Sequence, residues 1–299
     1  MQQVLPVSKL TQDHARDPAR WALLPGLCCQ AAGGEPRRAD DLALAWFLFY
    51  IAAHYFDQVE DQDPPEDGIP VWSPGVSVNL ATGVLLAASF ILNRLNQEAN
   101  APVNAERIID DFYRSLLIMC NGQHLDLVTP QPTLEQWMQI AGAKSGAFFR
   151  LACHAGAAVA TDQSATQDAF GDYGFRLGLL LQILDDLGDF RQVTNSGGSV
   201  LSADAGRSLA MVYAREVLPS DQQLVLSETL ADASVSVQAA QKVVDLLDQC
   251  GAGLYLDIEI ERQRELGIQA LHSINPQPPA GEILLSLLTD LGKDSPPAG

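Results

Sequence analysis

Apolar residues recur at helical spacing along most of this chain, and the alternation typical of strands is scarce. Ala43–Phe56 is apolar almost all round, as expected of a helix inside a large bundle. The prolines and glycine of Gln62–Pro74 predict a loop. Further helices are predicted at 76–95, 105–127, 136–160, 168–190, 209–217, 221–229 and 235–250, with 251–271 as one more candidate. The pattern predicts an all-α protein.

The breaks between these segments are marked by local signals. Thr133 followed by Gln136 matches a capping box, which predicts a helix start after the break at Pro130–Pro132. Thr194–Gly206 is rich in Gly and Ser and is predicted to be a loop. No repeat divides the chain, so residues 1–299 are expected to form one helical domain, with a flexible tail at 292–299.

The net charge of −19 in 299 residues changes the set of plausible partners. Such an acidic surface argues against nucleic acid and anionic membranes, because both are negative. No integral membrane segment is expected, since charged residues bound the apolar stretch Ala39–Phe56. The N-terminus lacks the apolar core of a secretory signal, and the five cysteines show no metal-ligand spacing. Buried free thiols and a cytoplasmic location are therefore expected.

Two acidic clusters each follow an apolar helix. They are Asp57–Asp61, with the sequence DQVED, and Asp185–Asp189, with the sequence DDLGD. In each cluster two aspartates stand at i and i+4, on one helix face, where they repel each other. They also lie at the negative end of the helix dipole. A bound divalent cation would relieve both penalties, and clustered carboxylate oxygens suit Mg²⁺.

The alternative is that these aspartates are ordinary solvated helix ends. Two clusters that each close a buried helix favour the metal interpretation. Helices facing each other across a bundle would place the clusters opposite one another. Mg²⁺ ions between them would present positive charge to a diphosphate and clamp it as a leaving group.

The second cluster resembles a motif of the trans-isoprenyl diphosphate synthases. Leu179–Phe190, LLLQILDDLGDF, is similar to their second aspartate-rich motif, with Gln182 at the usual position before it. Asp57–Asp61 resembles their first motif, except that Gln58 replaces its second aspartate. Gly122–Leu127 and Lys144–Phe149 are similar to their GQ…D and lysine-containing segments. The similarity runs in order over roughly residues 20–215.

The resemblance implies an all-α single bundle with a central cavity, an allylic prenyl diphosphate substrate, three Mg²⁺ ions and a homodimer. The implied metal ligands are Asp57, Asp61, Asp185, Asp186 and Asp189. The catalytic group would be Asp57, Asp61 and Asp185 together with Lys144 and Gln182, the last two at the diphosphate or the carbocation. Gln123, Asp126, Phe148 and Phe149 are the further implied substrate-binding residues.

The sequence departs from the family where the second substrate, isopentenyl diphosphate, would bind. Basic positions near the N-terminus read Trp21, Ala22 and Leu24, and an arginine pair reads Glu66 and Asp67. The loop 194–199 has no lysine. Each lost charge-assisted contact weakens binding by about 1.5–3 kcal/mol.

Three hypotheses follow. The favoured one is an enzyme that ionises a prenyl diphosphate without isopentenyl diphosphate, either a cyclase or a transferase to another acceptor. The second is an ordinary elongating synthase that binds its cosubstrate through other residues, for which the candidates are Arg20, Arg37, Arg38 and His54. The third is a non-catalytic partner subunit. Ala52 and Ala53, before the first cluster, leave room for a longer prenyl chain.

Overall fold

The computed structural model describes residues 21–60, 72–97, 102, 104–196, 200–201 and 203–292. The described residues form helices and connections without a strand, which confirms the all-α prediction. The α-helices are α1 Leu24–Ala31, α2 Asp40–Glu60, α3 Pro74–Leu92, α4 Ala105–Val128, α5 Leu134–Ala141, α6 Ala147–Ala160, α7 Ser164–Ser196, α8 Leu209–Val217, α9 Ser220–Ala233, α10 Val237–Gln249, α11 Ala252–His272 and α12 Ala280–Asp290. Short 3₁₀ turns lie at Pro36–Ala39, Asn93–Asn96 and Ala203–Arg207, and a π-helical turn at Gly142–Gly146.

The described residues divide into two compact units. The first contains residues up to 117 together with 148–175 and 266–292. The second contains residues 118–147 and 176–265. Each unit therefore draws on separate stretches of the chain.

In the first unit, α2 packs along α3, and Trp46 of α2 is completely buried against Phe148 of α6. Glycine allows the closest approach of α1 and α6, because a Cβ on Gly156 would collide with the main chain of Pro25. One turn further along, the thiols of Cys28 and Cys153 are neighbours. These two pairs show that α1 runs antiparallel to α6. The buried Tyr173 donates a hydrogen bond to the Leu284 carbonyl at 2.8 Å and ties α7 to α12.

In the second unit, two glycines allow the main chain of the π-helical turn to approach their helices closely. A Cβ on Gly178 of α7 would lie on the Ser145 carbonyl oxygen and 3.0 Å from the Gly146 Cα. A Cβ on Gly122 of α4 would lie 3.0 Å from the Lys144 amide nitrogen. Side chains of any size at these positions would push the turn away. The glycines therefore fix the position of Lys144.

Local signals predicted several helix ends correctly. The capping box is confirmed: the Gln136 amide donates to Thr133 Oγ1 at 3.2 Å, and the Thr133 amide donates to Gln136 Oε1 at 2.9 Å. The predicted loop at 194–206 is wrong at its start, because α7 continues to Ser196. Helices α1 and α12 were not predicted, since short apolar runs beside prolines carry weak periodicity.

The cysteines are all free thiols, but they are not all buried. Cys28, Cys29 and Cys153 are buried, whereas Cys120 is exposed, which corrects the expectation for that residue. Burial raises the pKa of Cys29 to about 11. Burial, with the neighbouring Cys153, also raises the pKa of Cys28 well above its usual value.

Two helical stretches are long and apolar enough to cross a membrane by length and composition, Pro36–Glu60 and Pro74–Asn96. The second stretch was not predicted from the sequence, although it has no charged residue before Arg94. One or two stretches of this kind are weak support for a membrane protein, because helices of soluble proteins pass the same test.

Candidate active site

The second acidic cluster lies near the end of α7, in the second unit. The apolar residues Leu180, Ile183 and Leu187 are buried and anchor this part of the helix. Asp185 is exposed, while Asp186 is half-buried and accepts a hydrogen bond from the Leu209 amide at 2.6 Å. The side chain of Asp189 lies outside the described part of the structure.

Gln182 stands one turn before this cluster and contacts the π-helical turn. Its Oε1 accepts a hydrogen bond from the Ser145 hydroxyl at 2.8 Å. Lys144, in the same turn, lies with its Nζ 2.6 Å from Asp126 Oδ2 on α4. A π-turn inserts an extra residue and re-aims the side chains it carries, and such turns are frequent at functional sites. Here it presents Ser145 to α7 and Lys144 to α4.

Gln123 is the clearest unsatisfied polar group among the described residues. Both its Oε1 and its Nε2 are buried, and neither has a hydrogen-bond partner there. A buried amide without partners is costly and calls for an explanation such as a bound ligand. It lies one turn before Asp126 on α4, as the predicted GQ…D segment requires.

Arg207 is a cation at this site that the sequence analysis missed. Its Nη1 donates to the Asp126 carbonyl oxygen at 3.2 Å, on the same residue that pairs with Lys144. The loop 194–199 has no basic residue, and Arg207 lies eight positions beyond it. The basic residue stands in the segment AGRSL at 205–209, directly before and at the start of the next helix.

The contacts of the second unit form a closed circuit of α7, α8 with the 3₁₀ turn before it, α4 and the π-helical turn. Each link joins one element to the next, and the last returns to α7. The links are Asp186 to Leu209, Arg207 to the Asp126 carbonyl, Lys144 to the Asp126 carboxylate, and Ser145 to Gln182.

The first acidic cluster lies in the first unit, and only part of it is described. Asp57 is half-buried near the end of α2. Asp61 lies outside the described residues, as do Glu66 and Asp67. Before Asp57, the rings of Tyr50 and His54 are stacked with centroids 6.5 Å apart.

Phe148 and Phe149 belong to an aromatic cluster in the first unit. Phe148 stacks on Trp46 with ring centroids 4.4 Å apart, and Trp46 Nε1 donates to the Phe148 carbonyl at 3.1 Å. Phe149 packs edge-on against Trp21. Both phenylalanines are buried, so they build the core here, and their contact with a substrate stays a prediction.

The donors of the second unit fit Mg²⁺ by their chemistry. Asp185 and Asp186 offer hard carboxylate oxygens, and Mg²⁺ commonly keeps water and substrate phosphate oxygens as its other ligands. Within the described part of the chain, no group of three or more His, Cys, Asp or Glu side chains forms a complete metal site. The described residues would therefore hold Mg²⁺ only with ligands from outside this set.

The sequence profile described as Polyprenyl synthetase matches residues 22–247, about three-quarters of the chain. The chain belongs to the polyprenyl synthetase family. This family assignment agrees with the resemblance carried by the two acidic clusters.

Two relatives illustrate how far the similarity extends. The chain is 32% identical over 164 residues to a geranylgeranyl diphosphate synthase of Mycobacterium tuberculosis, covering 52% of this chain and 46% of that protein. It is 23% identical over 202 residues to a short chain isoprenyl diphosphate synthase of Methanocaldococcus jannaschii, covering 64% and 60%. The chain thus aligns with about half of these curated relatives' length.

Solved structures of prenyl diphosphate synthases share the fold of this chain. A geranylgeranyl pyrophosphate synthetase of Pyrococcus horikoshii superposes with a TM-score of 0.79 at 20% identity, covering 90% of this chain and 84% of that one. A decaprenyl diphosphate synthase of Rhodobacter capsulatus gives 0.79 at 15% identity, covering 95% and 92%.

Proposed function

We propose that this protein is a Mg²⁺-dependent prenyltransferase that ionises an allylic prenyl diphosphate and adds the prenyl group to isopentenyl diphosphate. The observation that carries the proposal is the closed circuit of the second unit, which holds two cations, Lys144 and Arg207, at Asp126 and joins the segments that carry them to α7. Family membership supports the substrate class. The names of the relatives, which are synthases of prenyl diphosphates, support chain elongation.

The residues of the circuit have distinct roles in this proposal. Asp185 binds Mg²⁺, with Asp189 as a further proposed ligand, while the ligand roles of Asp57 and Asp61 stay predictions from the sequence. Lys144 and Arg207 donate hydrogen bonds to phosphate oxygens, which stabilises the departing diphosphate. Bound Mg²⁺ would neutralise the charge that develops on that diphosphate.

In this proposal Asp126 orients Lys144 and Arg207, and Gln182 is itself held in place by Ser145. Asp126 holds the Lys144 ammonium through its carboxylate and Arg207 through its carbonyl. Gln182 is held by the Ser145 hydroxyl, so its amide has a fixed direction. Gln123 has two buried amide atoms available to a bound group.

A second candidate function is ionisation without isopentenyl diphosphate, which the sequence analysis favoured. Its support is the burial of residues at the positions where the resemblance puts basic groups. Trp21 is 4% exposed and Leu24 is 1% exposed, and both pack in the core of the first unit. An apolar core side chain cannot replace a guanidinium or ammonium at a diphosphate.

One experiment separates the two candidates. The protein and Mg²⁺ are incubated with geranyl, farnesyl or geranylgeranyl diphosphate, each with and without isopentenyl diphosphate, and released diphosphate and extracted products are measured. A longer linear diphosphate that forms only with isopentenyl diphosphate supports elongation. Diphosphate release with a cyclic or alcohol product in its absence supports the second candidate. Release in no mixture contradicts both, and Asp185→Asn is the control for metal-dependent turnover.

We also propose that the protein forms a homodimer through α3. This helix has no charged residue, and its exposed face carries Val76, Leu80, Leu86 and Phe90. Two copies with a charge of −19 each repel, so an uncharged contact face is the favourable one for a second copy. Gly83, where an added Cβ would meet nothing within 4 Å, leaves room for close helix approach.

The test of the dimer is its mass in solution. We expect Phe90→Glu to convert a dimer into a monomer in light scattering after gel filtration. Leu254→Glu, at a comparably exposed position of α11, should leave the mass unchanged. A monomeric wild-type protein that instead floats with neutral lipid vesicles would show that α3 contacts lipid.

A cytoplasmic location is retained as an expectation from the sequence.

A further inference from the structure

Helix α8 is capped by a side chain from a different helix. Its first amide, that of Leu209, donates to Asp186 Oδ2 at 2.6 Å. Ser208 occupies the N-cap position but makes no side-chain cap, and its hydroxyl donates instead to the Ala205 carbonyl at 2.9 Å. The capping role therefore falls to Asp186 on α7.

A carboxylate is well suited to that role. The first amides of a helix lack intrahelical partners, and the helix dipole makes this end positive. An ionised acceptor there forms a short, charge-assisted hydrogen bond. Because Asp186 is half-buried, the bond is less screened by water than at an open surface.

The direction of Asp186 differs from that of its neighbour. Successive residues of an α-helix point about 100° apart, whereas residues at i and i+4 share a face. Asp185 therefore shares its face with position 189, and Asp186 does not. The exposed Asp185 and the capping Asp186 are thus suited to different tasks.

The cap also bears on Arg207, two residues before Leu209. The guanidinium of Arg207 reaches the Asp126 carbonyl at 3.2 Å only while the turn before α8 keeps its place. We infer that Asp186 is a positioning residue that fixes the start of α8 and so aims Arg207, rather than a direct Mg²⁺ ligand. The role of Arg207 at a diphosphate rests on the proposed function; the cap does not.

The first test uses the metal-free protein. Hydrogen exchange of the amides at the start of α8 is compared among wild type, Asp186→Ala and Asp186→Asn. Loss of a cap should accelerate this exchange about tenfold in the alanine variant. Asparagine keeps an acceptor oxygen in place and should restore most of the protection. Unchanged exchange in Asp186→Ala would overturn the proposal, since a metal ligand has no effect without metal.

Ser236→Ala calibrates this result. Ser236 caps α10 by accepting from the Ala239 amide at 3.3 Å, so its loss should accelerate exchange at the start of α10 alone. A variant that exchanges faster everywhere is globally destabilised. If Asp186→Ala is destabilised in this way, Asp186→Asn is used in its place. Exchange at the start of α8 that is as fast in Asp186→Asn as in Asp186→Ala, and faster than in wild type, would contradict the cap.

The second test uses diphosphate release and its Mg²⁺ dependence. We expect Asp186→Ala to raise KM for the allylic diphosphate, by no more than Arg207→Gln does, at an unchanged half-saturating Mg²⁺ concentration. Asp186→Asn should recover most of that loss. If Asp186→Asn raises the Mg²⁺ requirement as strongly as Asp185→Asn, the residue is a ligand and the proposal is wrong. If wild type releases no diphosphate, the proposed function fails while the exchange experiment still decides the cap.

Discussion

The ammonium of Lys144 lies 2.6 Å from the carboxylate of Asp126, and the two side chains are only 22% and 20% exposed. Partial burial strengthens the attraction but makes either charge costly without the other. The pair joins the π-helical turn to α4 within the second unit. It therefore serves stability as well as the proposed diphosphate contact.

Removing one partner of this pair should destabilise the protein. We expect Lys144→Met to lower the free energy of unfolding by about 1–3 kcal/mol, because Asp126 is left half-buried and unpaired. Urea denaturation measures the change, and the double variant Lys144→Met/Asp126→Leu should lose less than the sum of the single variants. The Arg114–Asp110 pair is the control: its N···O distance is also 2.6 Å, but it is exposed. Equal losses for Arg114→Ala and Lys144→Met would contradict the role of burial.

Gly178→Ala should displace the turn that carries Lys144 and Ser145. The new methyl would overlap the Ser145 carbonyl and press on the Gly146 Cα. Both groups belong to the main chain, so they cannot rotate away as a side chain could. We expect a loss of about 1–3 kcal/mol in unfolding free energy, as for other overpacked sites, together with weaker diphosphate release. Gly75→Ala is the matched control, since nothing lies within 4 Å of its Cβ position. Thermal unfolding of both variants gives the comparison, and equal melting temperatures would refute the close-packing account.

The sequence alone predicted what depends on neighbours along the chain. The capping box at Thr133 needs only a residue three positions later, and it is present in the structure. The acidic clusters were recognised from their i, i+4 spacing and from the resemblance, and the family assignment agrees.

What the sequence did not predict depends on contacts between distant segments. Gly178 and Gly122 look like ordinary helical glycines until the π-helical turn is seen against them. The hydrogen bond from the Leu209 amide to the Asp186 carboxylate joins residues 23 positions apart, so the spacing within the acidic cluster gives no sign of it. Arg207 stands 81 positions from the carbonyl that it contacts, so no local pattern identifies it.

His154 should make the protein less stable in mild acid. Burial, and then the nearby Arg150, lower its pKa below the ordinary value, although Asp111 and Asp168 oppose the shift. Because the folded state binds this proton less readily than the unfolded state, the histidine's contribution is present above about pH 6.5 and is lost as the pH falls through the lowered pKa. Urea denaturation at pH 7.5 and 5.5 should show a larger loss in wild type than in His154→Gln. The same loss in both would show that other groups account for the acid sensitivity.

Asp185 should carry the metal dependence of the reaction. Its carboxylate is exposed near the end of α7, and asparagine has the same size and shape, so the substitution leaves the buried face of the helix unchanged. We therefore expect Asp185→Asn to unfold at the wild-type temperature, to release diphosphate about 100-fold more slowly and to need more Mg²⁺.

The control for Asp185 is Asp248→Asn, which removes one exposed negative charge from α10 at a site without a proposed ligand role. If the two variants are affected alike, the general field of the acidic surface, and not a bound ion, governs the rate. If Asp185→Asn turns over at the wild-type rate and the wild-type Mg²⁺ concentration, Asp185 is not a metal ligand. The proposed clamp would then have to rest on the other aspartates.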